Sequence, residues 1–300
     1  MKYDFSTGIE LVKLCDEEGI KISEAMLRRE TEISERSREA AIAEMRTDLK
    51  VMRESVKKGL TEKVHSVSRL TGGEAMQLYR YADFDPFSGS QTCHAAAAAM
   101  AVVEVNAAMG RIVAAPTAGA SGILPAVLLE SGHERNWTDD MLIEGLFCAG
   151  AIGMLFAKNA TISGAEGGCQ AETGVAAAMA AAALVELSGG EPLQCLDAAA
   201  IAIKNIEGLV CDPVAGLVEC PCIKRNGMGA ANALLSADLA LCGITSLIPF
   251  DEVVSSMYSV GRDIRPEYRE TAKGGLASTP TGKLIAAGIK RMNGRREDQQ

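Results

Sequence analysis

The stretch Ala171-Glu-Thr-Gly-Val-Ala-Ala-Ala-Met-Ala-Ala-Ala-Ala-Leu-Val-Glu-Leu187 decides the fold class. Alanine is the strongest helix former, and no Val/Ile/Thr alternation of strand type interrupts the run. Similar Ala-rich stretches recur at 94–109, 139–157, 193–207, 228–242 and 251–261, each punctuated by Gly, Pro or Ser/Thr/Asp caps. The chain holds 46 Ala and 30 Gly against only 12 aromatic residues, so close backbone approach must replace bulky packing. The expected fold is all-α, a compact bundle of Ala/Gly-rich helices.

Upstream, Ser6 is placed to cap a first helix carrying Ile9, Leu11, Val12 and Leu14, which Gly19 ends. From Ser23 a charged segment runs to Gly59 without Pro or Gly, and Ile42, Met45, Leu49, Met52 and Val56 step by three and four. This predicts one long amphipathic helix over 23–58, with a solvated outer face of Arg46, Asp48, Lys50, Arg53, Glu54, Lys57 and Lys58. Residues 60–90 read as loops around a short helix. The chain is therefore expected to be a single domain over 1–300, with a helical arm at 1–60 and a body at 90–292.

The net charge of -9 and the lack of a Lys/Arg-rich stretch argue against nucleic acid and anionic membrane as partners. The N-terminus has no apolar signal region, and the apolar stretches fall short of the roughly 20 residues a bilayer needs, so a cytoplasmic protein is expected. Nine cysteines, an odd number, then read as thiols or metal ligands rather than disulfides. Cys15, Cys93, Cys148, Cys195 and Cys242 are expected to pack in the core. His65, His94 and His133 are scattered and form no legible catalytic arrangement.

Three connecting segments carry chemistry. In 111–125, Thr117, Gly119, Ser121 and Gly122 sit at a break before an apolar stretch, where backbone N–H groups could face a carboxylate or phosphate; a tight helix connection reads equally well. In 159–174, Cys169 follows Gly167 and Gly168 just ahead of a helix whose dipole favours thiolate, with Glu166, Gln170 and Glu172 beside it. In 211–227, Cys211, Cys220 and Cys222 are kept out of a continuous helix by Pro213, Gly216 and Pro221. Soft sulfur ligands point to zinc or iron–sulfur; paired CxxC knuckles for zinc are missing, whereas three cysteines on an iron–sulfur cluster would leave one iron open as a Lewis acid. Spacing alone does not choose between Cys220 and Cys222. Lys158, Lys224 and Arg225 flank these segments and could neutralise a substrate carboxylate.

The motifs NAAMGRIVAAPTAGASGILPAV, KNATISGAEGGCQAETG, GLVCDPVAGLVECPCIKRNG and YRETAKGGLA, spanning 106–276, resemble the alpha subunit or catalytic domain of bacterial iron–sulfur L-serine dehydratases. FSTGIELVKLCDEEG and SRLTGGEA extend the resemblance over almost the whole chain. It implies an all-helical domain whose inter-helix loops hold a [4Fe-4S] cluster on Cys169, Cys211 and Cys222, Cys220 being usually apolar in the family. It implies dehydration and deamination of L-serine to pyruvate and ammonia, with Thr117, Gly119 and Ser121 at the substrate carboxylate and Asn159, Ser163 and Glu166 around the cluster mouth. The catalytic base is not identified. Single-chain relatives carry a Ser-Ser-His domain and a terminal cysteine that these 300 residues lack, which implies a separate beta subunit. The alternatives are a related iron–sulfur lyase such as L-cysteine desulfidase, and a metal-binding regulatory subunit without turnover.

Overall fold

The computed structural model describes residues 2–297. Its helices are α1 (Gly8–Glu18), α2 (Ile22–Ser34), α3 (Arg38–Thr61), α4 (Glu74–Tyr81), α5 (Ser90–Ala107), α6 (Ile123–Arg135) and α7 (Asp139–Asn159). There follow α8 (Gly164–Gly167), α9 (Thr173–Leu187), α10 (Pro192–Lys204), α11 (Cys222–Leu241), α12 (Phe250–Asp263) and α13 (Pro280–Glu297). Among the described residues the only β pairing is an isolated bridge between Cys211 and Arg269. The fold is all-α.

α9 is the axis of the bundle, and every residue of it is buried. It packs against α10, α7, α11 and α6, while α5 packs across α11, α3, α4 and α6. A buried methyl contributes only about 0.8 kcal/mol, so this core works by letting helices approach until backbone meets backbone. Gly122 shows the limit: a Cβ there would collide with the Ala99 carbonyl of α5.

Two carboxylates at the ends of Ala-rich helices act as caps for other helices. Glu104, near the end of α5, accepts from the N–H groups of Gly73, Glu74 and Ala75 at 3.0, 2.9 and 3.1 Å, starting α4. Glu186, at the end of α9, accepts from Ser23 N–H at 3.2 Å, starting α2. Helix N-termini leave unpaired N–H groups and a partial positive charge, and these remote carboxylates satisfy both. Burial pushes both carboxyl groups above their ordinary pKa, and the backbone donors oppose it.

Three expectations are corrected. Thr7, rather than Ser6, caps α1: its Oγ1 accepts from Glu10 N–H at 3.2 Å while the Glu10 carboxylate accepts from the N–H groups of Ser6 and Thr7, a reciprocal box that only this register allows. The single helix over 23–58 is two helices, because Glu35 takes the left-handed conformation and Ser37 caps a new start, accepting from Ala40 N–H at 3.2 Å. The apolar seam keeps its period on α3, and its charged face is exposed as expected apart from half-buried Asp48, with Arg46 and Arg53 also reaching Asp140 and Asp139 in the first turn of α7 at 2.7 Å. Ser37→Ala should cost about 1 kcal/mol in a urea titration, the usual value of an N-cap.

The third correction concerns α7, which is long and apolar enough, by length and composition, to cross a membrane. Here it packs against α9 and α2 with most of its apolar residues buried. The remaining polar end, Asp298–Gln300, lies outside the described residues.

Candidate functional site

Cys169 stands between two helices. After α7 the chain turns through α8, and Gly168, at φ 76°, delivers Cys169 into a short 3-10 turn before α9 begins at Thr173. Gln170 clamps that turn: its Nε2 donates to Met257 O at 2.9 Å, its Oε1 accepts from Gly208 N–H at 2.8 Å, and its own N–H donates to Leu209 O at 3.1 Å. The Cys169 thiol is thereby buried, 3.2 Å from Thr173 Oγ1.

Cys211 is held by a different device. Its N–H donates to Tyr268 O at 2.8 Å and its carbonyl accepts from Glu270 N–H at 2.7 Å, so the YRETAKGGLA segment pairs alongside it. Next to it, buried Asp212 accepts from Arg225 Nη2 at 2.9 Å and from Leu276 N–H at 2.8 Å, while Arg225 Nη1 donates to Val210 O at 2.7 Å. Cys222 opens α11, directly after Pro221.

These segments meet at Glu172. Thr117 Oγ1 donates to Glu172 Oε1 at 2.7 Å, and Cys211 Sγ lies 3.8 Å from Oε2. Gly119 and Gly164 face the same carboxylate; a Cβ on Gly164 would strike Glu172 Oε2 and come within 3.2 Å of Cys211 Sγ. Asn226, fully buried on α11, closes the assembly: its Nδ2 donates to Gly119 O at 2.8 Å and Cys222 O at 2.9 Å, and its Oδ1 accepts from Gly122 N–H at 3.1 Å. One side chain thus joins the 117–122 loop to a cysteine of the third segment.

Burial pushes Cys169, Cys211 and Cys222 all upward, Cys222 to about 12. The charges of Cys169 and Glu172 add to the rise at Cys211 and Cys222, while Arg225 opposes it at Cys169 and Cys222. Glu172 is raised by its own burial, against the Thr117 hydrogen bond. The expected lowering of Cys169 by a helix dipole is overturned, because α9 begins only four residues later and desolvation dominates.

Cys169, Cys211, Cys222, Thr117 and Gly119 are therefore brought together around Glu172 and Asn226. Ser121 is buried in the same loop, with its hydroxyl donating to Ala118 O at 2.8 Å. Ser163 opens α8, its carbonyl accepting from the N–H groups of Glu166 and Gly167. Glu166 is exposed and accepts from Thr161 Oγ1 at 2.6 Å, beside an open cavity that Arg262 and Arg269 also line. Asn159 turns elsewhere, donating to Ser6 O at 2.7 Å and Leu155 O at 2.9 Å, and Lys158 donates to Phe5 O at 3.0 Å. Lys224 pairs with Glu74.

Among the other cysteines, Cys15, Cys93, Cys148 and Cys195 are buried as expected, but Cys242 is exposed, because α11 ends beside it. The structure also reveals a second grouping that sequence spacing did not suggest. The ligand atoms of Cys148, Glu186 and Cys195 lie within 4.8 Å of one another.

The family profile described as serine dehydratase alpha chain matches residues 17–277. A probable L-serine dehydratase alpha chain of Bacillus subtilis is 50% identical over 277 residues, covering 92% of both chains. The L-serine dehydratase alpha chain of Peptoniphilus asaccharolyticus is 46% identical, over 93% of this chain and 96% of its own. The Escherichia coli L-serine dehydratase TdcG is 42% identical over 92% of this chain, which spans 62% of that relative's length.

Proposed function

The chain belongs to the serine dehydratase alpha chain family, and from that premise we propose that it is the alpha subunit of an L-serine ammonia-lyase carrying a [4Fe-4S] cluster on Cys169, Cys211 and Cys222. The observation that carries the reading is the meeting of three motif segments at one buried place, with thiols from two of them beside Glu172 and the third tied in by Asn226. The donor set fits the group: three soft, desolvated sulfurs from two inter-helix segments, a guanidinium offsetting their charge, and a glycine at 164 where any side chain would intrude. The other thiol grouping is too tight for a cluster, and its Glu186 also serves as the cap of α2.

When bound, such a cluster supplies an iron without a protein ligand, which polarises the C–O bond of serine. This chain's own residues do the positioning. In this reading the 117–122 loop offers its small-residue backbone to the substrate carboxylate, the Thr117 hydroxyl steadies the loop on Glu172, and Asn226 holds the loop at fixed distance from α11. Gln170 and the 268–270 pairing keep Cys169 and Cys211 from drifting. Serine loses its Cα proton and its hydroxyl as water; the aminoacrylate tautomerises to an imine, which water hydrolyses to pyruvate and ammonia. The alpha-chain designation of the relatives supports a separate beta subunit that completes the site.

Anaerobic chain reconstituted with iron and sulfide should turn brown, and with the beta subunit added it should convert L-serine to pyruvate. Sulfide released from L-cysteine in preference would move the assignment to a desulfidase, and zinc without iron would sink the lyase. Exposure to air should bleach the chromophore and the activity together. Gly164→Ala should cut chromophore yield severalfold while leaving helix content unchanged, since its methyl displaces Glu172 and Cys211 but lies outside the α9 core.

A further inference from the structure

We propose that Cys148, Glu186 and Cys195 form a second metal site, taking one thiophilic divalent ion of the zinc or cadmium kind. The three residues come from α7, α9 and α10, whose packing brings their ligand atoms within 4.8 Å of one another. Tetrahedral zinc, with bonds of about 2.3 Å to sulfur and about 2.0–2.2 Å to oxygen, needs donors roughly 3.5 Å apart, so side-chain adjustments of about an ångström suffice. All three residues are buried.

The carboxylate has capacity to spare. Both Glu186 oxygens share the Ser23 N–H at a long 3.2 Å, and the Ser23 hydroxyl and Ile22 N–H also act on the carboxylate, so of its four acceptor positions one is left for an ion. Ion entry is also balanced in charge. As metal–sulfur bonds form at Cys148 and Cys195, their two thiol protons leave to solvent, so a divalent ion replaces two protons and the charge buried there is unchanged. This removes the desolvation objection that a free cation would face.

A cavity of about 420 Å³, lined by Cys15, Gly19, Lys21, Glu186, Gly189 and Glu191, borders the grouping on its Glu186 side. The C-terminal turns of α1 and α9 border it with carbonyl ends that favour a cation, and the N-terminal ends of α2 at Lys21 and α10 at Glu191 border it too, each already offset by the carboxylate that caps it. Cys15, close enough to be raised by the charges of Glu186 and Cys195, stands at that opening as a third sulfur. The site is separate from Cys169, Cys211 and Cys222, so it stands whether or not those residues carry a cluster.

The test uses the full chain with Cys169→Ala, Cys211→Ala and Cys222→Ala, titrated with cadmium chloride against a competing chelator. One cadmium per chain, a thiolate-to-cadmium ultraviolet band and a raised melting temperature are expected. Adding Cys148→Ala or Cys195→Ala should abolish the band and weaken binding at least about tenfold, whereas Cys220→Ala and Cys242→Ala should change neither. A band that survives the double replacement of Cys148 and Cys195, or no binding at stoichiometric cadmium, overturns the site. If the core variants fail to fold by circular dichroism, cadmium-edge X-ray absorption on the parent decides: two or three sulfurs with oxygen support the site, and an all-oxygen shell overturns it.

Discussion

Alanine at Cys169, Cys211 or Cys222 is expected to leave a colourless protein with serine turnover reduced by about a thousandfold or more, since Lewis-acid stabilisation worth several kcal/mol is lost whole. The three substitutions should be nearly equivalent and non-additive, because a cluster short of one thiolate is not a weaker cluster but an unassembled one. Cys220→Ala is the internal control. Its carbonyl accepts from Val214 N–H and its side chain is only half-buried, so chromophore and turnover should survive. If Cys220→Ala bleaches the protein while Cys222→Ala does not, the ligand assignment is wrong.

The same thiols predict a pH dependence of assembly. In the metal-free chain burial holds them protonated, Cys222 up to about 12, so each iron–sulfur bond displaces a proton. Reconstitution followed by absorbance should therefore strengthen as pH rises from 7 towards 9. The metal-free fold itself should not gain stability over that range. A thiol with a raised folded-state pKa stabilises the fold only while it stays protonated, and this contribution is lost as pH climbs through the folded value.

How far the residues announced all this depends on whether the deciding contact was local. The α9 run declares itself because propensity and burial agree along 15 consecutive positions, and Gly19 ends α1 in the left-handed conformation that glycine takes without a Cβ penalty. The break between α2 and α3 is fixed by a cap at Ser37 inside a sequence that scores as continuous helix, so the period survived while the axis did not. Cys169 was legible as a residue but not as an acid, because the helix dipole is local and desolvation is not. Asn159 sat in the right motif and turned to the N-terminal arm. Cys148, Glu186 and Cys195 share no motif at all; only the packing of three helices brings them together.

Asn226 was likewise part of a recognised motif without a role, and it is where the fold and the site are most tightly joined. Asn226→Ala would strip partners from Gly122 N–H and Gly119 O in a place water does not reach, at about 1–3 kcal/mol for each group left unpaired. A loss of about 3–5 kcal/mol is expected in urea unfolding of the metal-free chain. Asn226→Asp should be worse at neutral pH, because it keeps the acceptor for Gly122 but turns a carboxylate oxygen on two carbonyls that need a donor. Those carbonyls and the burial raise the new carboxyl's pKa, so its protonated form fits best. The stability of Asn226→Asp should then be highest below the unfolded carboxylate pKa near 4 and fall as pH rises through the raised folded value. The wild-type chain carries no ionisable group at this position and should not show that component. Both variants should also lose chromophore, since the 117–122 loop and Cys222 would no longer be held in one frame. If Asn226→Asp unfolds and assembles like the wild type at pH 7, then α11 does not hold the loop, and the geometry of the substrate end rests on Glu172 and Thr117 alone.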